Sequence, residues 1–496
     1  MSCFISTAIS YCNAPPHIGH VYENIIADFL KRQFELLGRD VKLMTGTDEH
    51  GKKIQTMAEK DNKVPKEFCD QMVKYFIEMN GKYNINYDHF LRTTDEYHKN
   101  LVQNFIKKSY ENGDIYKGEY KGYYSIREES FVTDETAKIN DYKDPVTNQP
   151  YDYIVEESYF FRISKYLEKI KEIIGTLHPS QYQQIISERL DKLDELKDLS
   201  ISRTSFDWGI PFPGDEEKIV YVWFDALFCY LSSMIQLYGT ENKPEKIIHI
   251  IGKDIVWFHN IIYTAMLKSV CKEYYPTTIL VHGFITDKDG KKMSKSVGNV
   301  ISPQDLDKYP TDAIRFYVLT ETSLGDDLNF SVENMMDKYN CVLINEFGNL
   351  VQRIGNLVND HKNDINKLSY TDECRLIEIM ESINNYDILK YYNLVFNKIK
   401  YLNALINQEK PWDKNVNYDQ KIQMLKQYLY QLNIITKLMY PYIPNKILEI
   451  RDLFGFSHNL NLNDNKIDKL NITYEKKQVM FQLVNRKEKI VKRKEK

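Results

Sequence analysis

The sequence predicts an α/β chain with a parallel sheet built in two halves, an insertion between the halves and an all-α region after them. Three observations predict this fold class. Short apolar runs alternate with amphipathic segments in residues 1–114 and again in residues 216–300, as strands and helices do in parallel sheets. Residues 115–215 break this alternation with aromatic and polar residues. After about residue 301, apolar residues recur at helical spacing.

The composition is that of an intracellular globular protein. Of 496 residues, 43% are hydrophobic and 27% are charged, so the chain is expected to fold, and its length suits several domains. It contains no apolar run of about eighteen residues and no secretory leader pattern, which predicts a soluble, cytoplasmic protein without membrane association. The net charge of −4 gives no general attraction for nucleic acid, so any RNA must bind a local basic surface.

The cysteines predict neither a disulfide framework nor a thiolate metal site. The seven cysteines are scattered along the chain, and no two have the spacing C-x-x-C. We expect them to pack as small hydrophobic residues.

The first strand, loop and helix form the most informative stretch. Phe4 and Ile5 begin a short apolar strand, and after a proline-containing loop a helix begins at His17. His17 and His20 lie one turn apart at the helix N-terminus, where unpaired N–H groups and the helix dipole favour an anion. Gly19 lets a nucleotide approach the backbone. The stretch predicts a phosphate site, although an isolated pair of this kind more often caps a helix.

The remainder of the first half continues the alternation. Residues 41–45 are the second predicted strand, and the sequence GTDEHG follows at residues 46–51. Polar residues at the carboxyl end of a strand lie where open α/β sheets bind their ligands. Two helices are predicted next, the second beginning at Pro65. A strand at residues 90–94 and a helix over residues 101–113 complete this half.

The second half repeats the pattern. Residues 246–251 are a continuous apolar run, typical of a strand buried on both faces, and the run ends at Gly252. A helix from about Ile255, a strand at residues 278–281 and a lysine-rich loop at residues 291–298 follow. This order predicts a parallel sheet with right-handed crossovers.

Two short motifs together resemble the signatures of the class I aminoacyl-tRNA synthetases. They are His17-Ile18-Gly19-His20 and, much later in the chain, Lys292-Met293-Ser294-Lys295-Ser296. Each is weak alone, whereas both, in this order and after strands, are specific. The surrounding residues resemble the methionyl-tRNA synthetases over about residues 4 to 480. The resemblance implies a split Rossmann-type catalytic domain in residues 1–114 and 216–300, a connective insertion without zinc in residues 115–215, a stem-contact connector in residues 301–340, an anticodon-binding helical bundle in residues 341–480 and a basic C-terminal tail in residues 481–496.

The resemblance also implies activation of an amino acid by ATP, with Mg²⁺ carried on the ATP phosphates. The amino-acid carboxylate attacks the α-phosphorus and expels pyrophosphate, so the protein must position reactants and stabilise charge. Catalysis is assigned to His17, His20, Lys292 and Lys295. ATP binding is assigned to His17, Gly19, His20, Gly252, Asp254 and Lys295.

Methionine is the amino acid that the resemblance implies. An unbranched thioether requires aromatic contacts and a flexible apolar slot, and the ammonium group would bind Asp48. Leu227 and Tyr263 replace a proline and a tryptophan of some relatives, which leaves the pocket volume open. Ile255, His259 and Tyr263 are spaced four apart and are predicted to share one helix face. The family's methionine-binding positions correspond to Ile9, Tyr11, Asp48, Trp223, Ala226, Leu227, Tyr230, Ile255, His259 and Tyr263.

The helical half is expected to bind tRNA(Met). Asn349 and Arg353 lie four apart and off the apolar stripe, so they share a solvent face. With Trp412 they resemble the family's anticodon motif, which implies a site for the anticodon CAU. The alternative for these residues is a solvated polar face.

Two features of the insertion bear on cofactor and substrate. Ser125-Ile126-Arg127-Glu128 stands where relatives carry a cysteine pair, so we predict no zinc. The insertion is also too short for the editing domain of the synthetases for branched amino acids. A synthetase for another apolar amino acid, a non-catalytic RNA-binding paralogue and a small-molecule nucleotidyltransferase remain as alternatives. We expect a monomer, because the chain carries no appended tRNA-binding module.

Overall fold

A computed structural model describes residues 1–126, 130–132, 134–191, 197–204, 206–271, 273–293, 298–365, 376–464, 467, 470–476 and 480–482. Lys295 and most of the predicted basic tail therefore lie outside the described residues. Among the helices of the described part of the chain, none is both long enough and apolar enough to cross a membrane.

The described strands and helices follow in chain order. The strands are β1 (Ser2–Thr7), β2 (Ser10–Tyr11), β3 (Asp40–Asp48), β4 (His89–Arg92), β5 (Ile115–Ser125), β6 (Ser130–Val132), β7 (Asp152–Phe161), β8 (Leu177–His178), β9 (Leu199–Ser200), β10 (Ser202–Arg203), β11 (Pro211–Phe212), β12 (Asp215–Val220), β13 (Lys246–Gly252), β14 (Thr278–His282), β15 (Ile285–Thr286) and β16 (Leu328–Asn329). The α-helices are α1 (Ile18–Leu36), α2 (Lys52–Lys60), α3 (Pro65–Lys82), α4 (Glu96–Glu111), α5 (Asp134–Ile139), α6 (Leu167–Ile173), α7 (Gln181–Asp191), α8 (Val222–Ala226), α9 (Cys229–Tyr238), α10 (Tyr263–Val270), α11 (Thr311–Thr320), α12 (Val332–Lys338), α13 (Asn349–Asn359), α14 (Lys362–Ile365), α15 (Ile377–Asn384), α16 (Ile388–Glu409), α17 (Tyr418–Met439) and α18 (Pro444–Phe454). Two π-helical segments, Phe258–Ile262 and Tyr339–Gly348, precede α10 and α13.

The chain divides into two compact units, which interleave in sequence. The first unit comprises Met1–Pro16, Lys42–Asn80 and Asn86–His282. The second unit comprises His17–Val41, Gly81–Ile85 and Gly283–Lys496.

The first unit is organised around the predicted parallel sheet, which is confirmed. Its strand order is β2-β3-β1-β13-β14-β8, and β4 also pairs with β3. The pairs of β13 with β1 and β14 are parallel, as are those of β3 with β2 and β4. Four isoleucines of β13 are fully buried, as expected for a strand covered on both faces. In this sheet β3 lies on one side of β1, and β13 lies on the other. Open α/β sheets bind their ligands at such a switch in strand order.

An antiparallel sheet with the order β6-β5-β7-β9 is formed within the region predicted as the insertion. Its long central pair, β5 with β7, runs in register from Ile115 opposite Phe161 to Tyr124 opposite Asp152. Tyr116 and Phe160 stack across that pair with ring centroids 5.6 Å apart. Aromatic cross-strand pairs of this kind stabilise the sheet and account for the aromatic residues that broke the alternation.

The second unit is mainly helical and contains a buried ion-pair network. Arg315 on α11 is fully buried and donates to Asp28 Oδ2 on α1 at 2.6 Å and to the carbonyl oxygen of Tyr442 at 3.1 Å. Arg32 donates to the same carboxylate at 2.8 Å. Two guanidinium groups therefore compensate one buried carboxylate, and they fix α1 within the helical unit.

Candidate active site and a groove in the helical unit

A cluster of aromatic and imidazole side chains lies in the first unit. It contains three of the residues predicted to bind methionine. His259 Nδ1 lies 2.9 Å from the carbonyl oxygen of Ile255, which can only accept, so Nδ1 carries the proton. His259 Nε2 therefore accepts from the Tyr230 hydroxyl at 2.7 Å. The Tyr263 ring centroid lies 5.5 Å from that of Tyr230. Burial lowers the pKa of His259 to about 4, so the imidazole is neutral at physiological pH.

The backbone that carries His259 differs from the prediction. A helix is present from about Ile255 as predicted, but it is not α-helical throughout, because a 3₁₀ turn at Lys253–Ile255 and the π-helical segment Phe258–Ile262 precede α10. The π segment adds a residue to the turn, which removes the regular helix face expected for Ile255, His259 and Tyr263. His259 and Tyr263 still converge on Tyr230, although their spacing in the helix does not explain why.

A second aromatic pair forms another wall of this region. Trp223 on α8 stacks on Phe258 with ring centroids 3.8 Å apart and an interplanar angle of 12°. Phe258 was missed by the sequence analysis, although it lies between two predicted positions. Trp223 is half-buried, whereas Ala226 and Leu227 are buried. Ile9 packs against the same hydrophobic core. Neighbouring aromatic faces suit an unbranched, polarizable side chain.

Asp48 is the last residue of β3, at the carboxyl edge of the sheet. It lies opposite Tyr11 in the β2–β3 pair, and its carbonyl oxygen accepts from the backbone N–H of Cys12 at 2.9 Å. Burial raises the pKa of the Cys229 thiol, and the charge of Asp48 raises it further. The charge of the Asp48 carboxylate is therefore felt at Cys229, the first residue of α9. The same helix carries Tyr230.

The buried carboxylate of Asp225 joins two imidazoles beside residues predicted to bind methionine. The sequence analysis missed this carboxylate. Asp225 Oδ2 lies 2.6 Å from His50 Nδ1, and Asp225 Oδ1 lies 2.8 Å from His98 Nε2. His98 Nδ1 lies 2.7 Å from Ser232 Oγ. Asp225 belongs to α8 with Trp223, and His50 belongs to the GTDEHG sequence with Asp48. The carboxylate therefore connects the two stretches assigned to the two ends of methionine.

Replacing Asp225 by asparagine is expected to raise the KM for methionine in ATP–pyrophosphate exchange by about tenfold or more, because a buried charge pair is broken. The KM for ATP should change less than twofold, since the partners of Asp225, His50 and His98, are not among the residues assigned to ATP. Asp207→Asn, an exposed change in the same unit, is the matched control. An equal rise in both KM values would contradict a positioning role for Asp225.

The same variant has a predicted pH signature. Burial acts to raise the pKa of Asp225, but His50 and His98 outweigh it, so its pKa lies below the ordinary range. A depressed carboxyl pKa stabilises the fold above the unfolded-state value of about 3.9, and the stabilisation is lost as the pH falls through the folded-state pKa. The difference in unfolding free energy between the wild type and Asp225→Asn should therefore shrink below about pH 4.

The turn after β13 contains Gly252 and Asp254, two of the residues assigned to ATP binding. Gly252 ends the strand, and a 3₁₀ turn over Lys253–Ile255 follows. A Cβ at Gly252 would lie 2.9 Å from Asp254 Oδ1. The Asp254 carboxylate thus lies directly over the glycine, and a side chain at position 252 would displace it.

His17 and His20 lie at the start of α1 in the second unit, with ring centroids 4.0 Å apart and nearly parallel planes. His17 Nδ1 accepts from Gly19 N, and His20 Nδ1 accepts from His17 N, each at 3.1 Å. Both imidazoles therefore cap the helix through Nδ1 and carry a proton on Nε2 when neutral. Desolvation and the neighbouring His17 lower the pKa of His20 well below its ordinary value. His17 and His20 can therefore cap the helix through Nδ1 and still donate a hydrogen bond from Nε2 to an anion.

The described part of the lysine-rich loop belongs to the same unit. Ile18 N donates to the carbonyl oxygen of Ile301, just beyond the loop, at 3.0 Å. Asp287 accepts from Lys291 N and from Asn299 Nδ2, each at 2.9 Å, which joins the two ends of the loop. The Lys292 ammonium lies 4.0 Å from the centroid of the Phe284 ring.

A groove in the second unit contains two of the three predicted tRNA residues, Asn349 and Arg353, and the third, Trp412, lies against Arg353. Its volume is about 500 Å³, and Arg353 contributes to its wall. Arg353 Nη2 donates to Asn407 Oδ1 at 2.6 Å, and its guanidinium lies 5.0 Å from the Trp412 ring centroid. Trp412 is 52% exposed. The groove is lined by Asn345, Glu346, Asn349, Arg353, Lys400, Asn403, Ala404 and Asn407.

The described residues were also considered as metal ligands. Within these ranges, no group of three or more His, Cys, Asp or Glu side chains is placed to hold a metal ion. The expectation of no zinc stays a prediction, since Arg127 and Glu128 lie outside the described ranges.

Comparison with known proteins gives the class to which this fold belongs. The family described as "tRNA synthetases class I (M)" matches residues 3–149 and 139–355. The methionine–tRNA ligase of Campylobacter jejuni is 38% identical over 430 residues, covering 82% of this chain and 67% of the relative. The methionine–tRNA ligase of Rickettsia prowazekii is 34% identical over 481 residues, covering 92% of this chain and 93% of the relative.

A solved structure is similar over nearly the whole chain. The Mycobacterium tuberculosis methionyl-tRNA synthetase bound to methionyl-adenylate superimposes with a TM-score of 0.86 at 28% identity, covering 97% of this chain and 100% of that one. The fold is that of a class I tRNA synthetase. Within that class, the chain belongs to the methionine–tRNA ligase family.

Proposed function

We propose that this protein activates L-methionine with ATP, forming methionyl-adenylate and pyrophosphate, and then transfers methionine to the 3′ end of tRNA(Met) for protein synthesis. Family membership supports the reaction. The single observation that supports the choice of methionine is the cluster of Tyr230, His259 and Tyr263 beside the stacked Trp223 and Phe258. It offers aromatic faces and two buried imidazoles, His259 and the neighbouring His249, whose pKa values are lowered by burial.

The chemistry needs positioned donors and cations. Asp48 binds the ammonium group of methionine, and Gly252 and Asp254 hold the ATP ribose. His17 and His20 donate from Nε2 to phosphate oxygens, which their capping through Nδ1 supports. Lys292 and Lys295 neutralise the departing pyrophosphate. Mg²⁺ enters with ATP, held mainly by its phosphates, and we assign it no ligands from this chain.

The groove of the second unit reads the CAU anticodon. Asn349 and Arg353 supply hydrogen-bond donors, and the exposed Trp412 supplies a stacking face, which together suit splayed single-stranded bases. Arg353 is held by Asn407 and lies over Trp412, so its plane is oriented before RNA binds. The protein works as a cytoplasmic monomer without zinc.

Trp412→Ala is expected to lower kcat/KM for charging tRNA(Met) by about 10- to 100-fold, the cost of one lost base–aromatic stack. Trp412→Phe should keep most of the charging activity. Methionine-dependent ATP–pyrophosphate exchange, which needs no tRNA, should match the wild type in both variants. Tyr401→Ala removes an equally exposed aromatic residue of the same unit and is the control. Normal charging by Trp412→Ala would refute the anticodon site.

A further inference from the structure

Glu346 is an acidic residue in the wall of a groove that otherwise presents amides and cations. It lies in the π-helical segment Tyr339–Gly348, three residues before Asn349, and its side chain is half-buried. Its Oε2 atom is buried without a hydrogen-bond partner. Within the described ranges the carboxylate accepts no hydrogen bond and forms no ion pair, although Lys400 lines the same groove. A partly buried carboxylate in this state is stabilised by any ligand that brings a donor.

The groove offers acceptors and donors in a defined arrangement. Glu346 can only accept when ionised, whereas Asn349 and Arg353 present N–H donors in the same groove. The Watson–Crick edge of cytosine has one amino donor at N4 and acceptors at N3 and O2, which complements one acceptor and several donors. Uracil has an acceptor at O4 in place of the amino group. A carboxylate facing O4 would leave two acceptors opposed, with no hydrogen between them.

We propose that Glu346 determines specificity for the first anticodon base: its carboxylate accepts a hydrogen bond from the N4 amino group of C34 and rejects U34. This inference rests on the proposed anticodon groove and adds the group that distinguishes CAU from UAU. Trp412 supplies a stacking face that any base could use, whereas Glu346 accepts a hydrogen bond that only a base with an amino donor can give.

The test compares tRNA(Met) transcripts carrying CAU, UAU (C34→U) and CGU (A35→G) in methionine charging. Glu346→Gln keeps the size of the side chain, but its amide can either accept or donate, so it can pair with cytosine N4 or uracil O4. We expect the variant to lower the ratio of kcat/KM for CAU over UAU by about tenfold or more, mainly through a gain on UAU. Its preference for CAU over CGU should stay as in the wild type.

Two controls separate this inference from the function it rests on. Methionine-dependent ATP–pyrophosphate exchange should remain within twofold of the wild type, which reports an intact fold without tRNA. Glu333→Gln changes an exposed glutamate of the same unit and should leave every ratio unchanged. An unchanged CAU/UAU ratio in Glu346→Gln, or relaxation at position 35 in place of 34, would overturn the proposal. If Trp412→Ala still impairs charging in that case, the anticodon groove stands and only the role of Glu346 fails.

Discussion

Asp48→Asn is expected to lower kcat/KM for methionine-dependent ATP–pyrophosphate exchange by about 100- to 1,000-fold. Asparagine keeps the side-chain volume but loses the charge that would pair with the methionine ammonium group, and breaking such a half-buried pair costs about 2–5 kcal/mol. Asp48 ends β3 at the carboxyl edge of the sheet, within reach of the start of α9. The loss should lie chiefly in KM for methionine, since the ammonium group is bound equally in the ground and transition states.

Asp61→Asn is the matched control, because Asp61 is an exposed aspartate of the same unit. Asp61→Asn should therefore support exchange with the wild-type kcat/KM. If Asp48→Asn kept more than a fifth of the wild-type kcat/KM, another group would have to bind the ammonium, and the assignment of Asp48 would be wrong.

Lys295→Ala is expected to lower kcat for exchange by about 100- to 1,000-fold while KM for methionine changes little. The ammonium of Lys295 would meet charge that develops on pyrophosphate as the bond to the α-phosphorus breaks, so its contribution arises in the transition state. Lys288→Ala, at an exposed position of the same lysine-rich region, should behave as the wild type. If Lys295→Ala raised only the KM for ATP and left kcat unchanged, Lys295 would instead contribute to ground-state binding of ATP.

Much of the first unit could be predicted because its strands are local apolar runs. β13 ends at Gly252 as the sequence indicates, and β14 covers the predicted strand with one further residue, His282. The π-helical segment before α10 could not be predicted, since one extra residue in a turn leaves no trace in apolar periodicity. This segment carries His259, whose Nε2 accepts from the Tyr230 hydroxyl.

The candidate sites divide in the same way. Asn349 and Arg353 were predicted from the sequence because they share a helix face, and Trp412 because its motif resembles that of the family; their role stays a prediction. Asp225 was missed because its partners His50 and His98 are far away in sequence, so only the folded chain brings them together. A buried acid among apolar residues, as in Val222-Trp223-Phe224-Asp225-Ala226, was the available signal, since such an acid needs partners.

The most direct test of the central claim is amino-acid-dependent ATP–pyrophosphate exchange measured with each of the twenty amino acids, on the intact chain and without tRNA. We predict exchange with methionine alone, abolished or nearly so in Lys295→Ala. Exchange driven by a different amino acid would contradict the methionine assignment while leaving the fold in place. Absence of exchange with every amino acid would contradict the catalytic function itself.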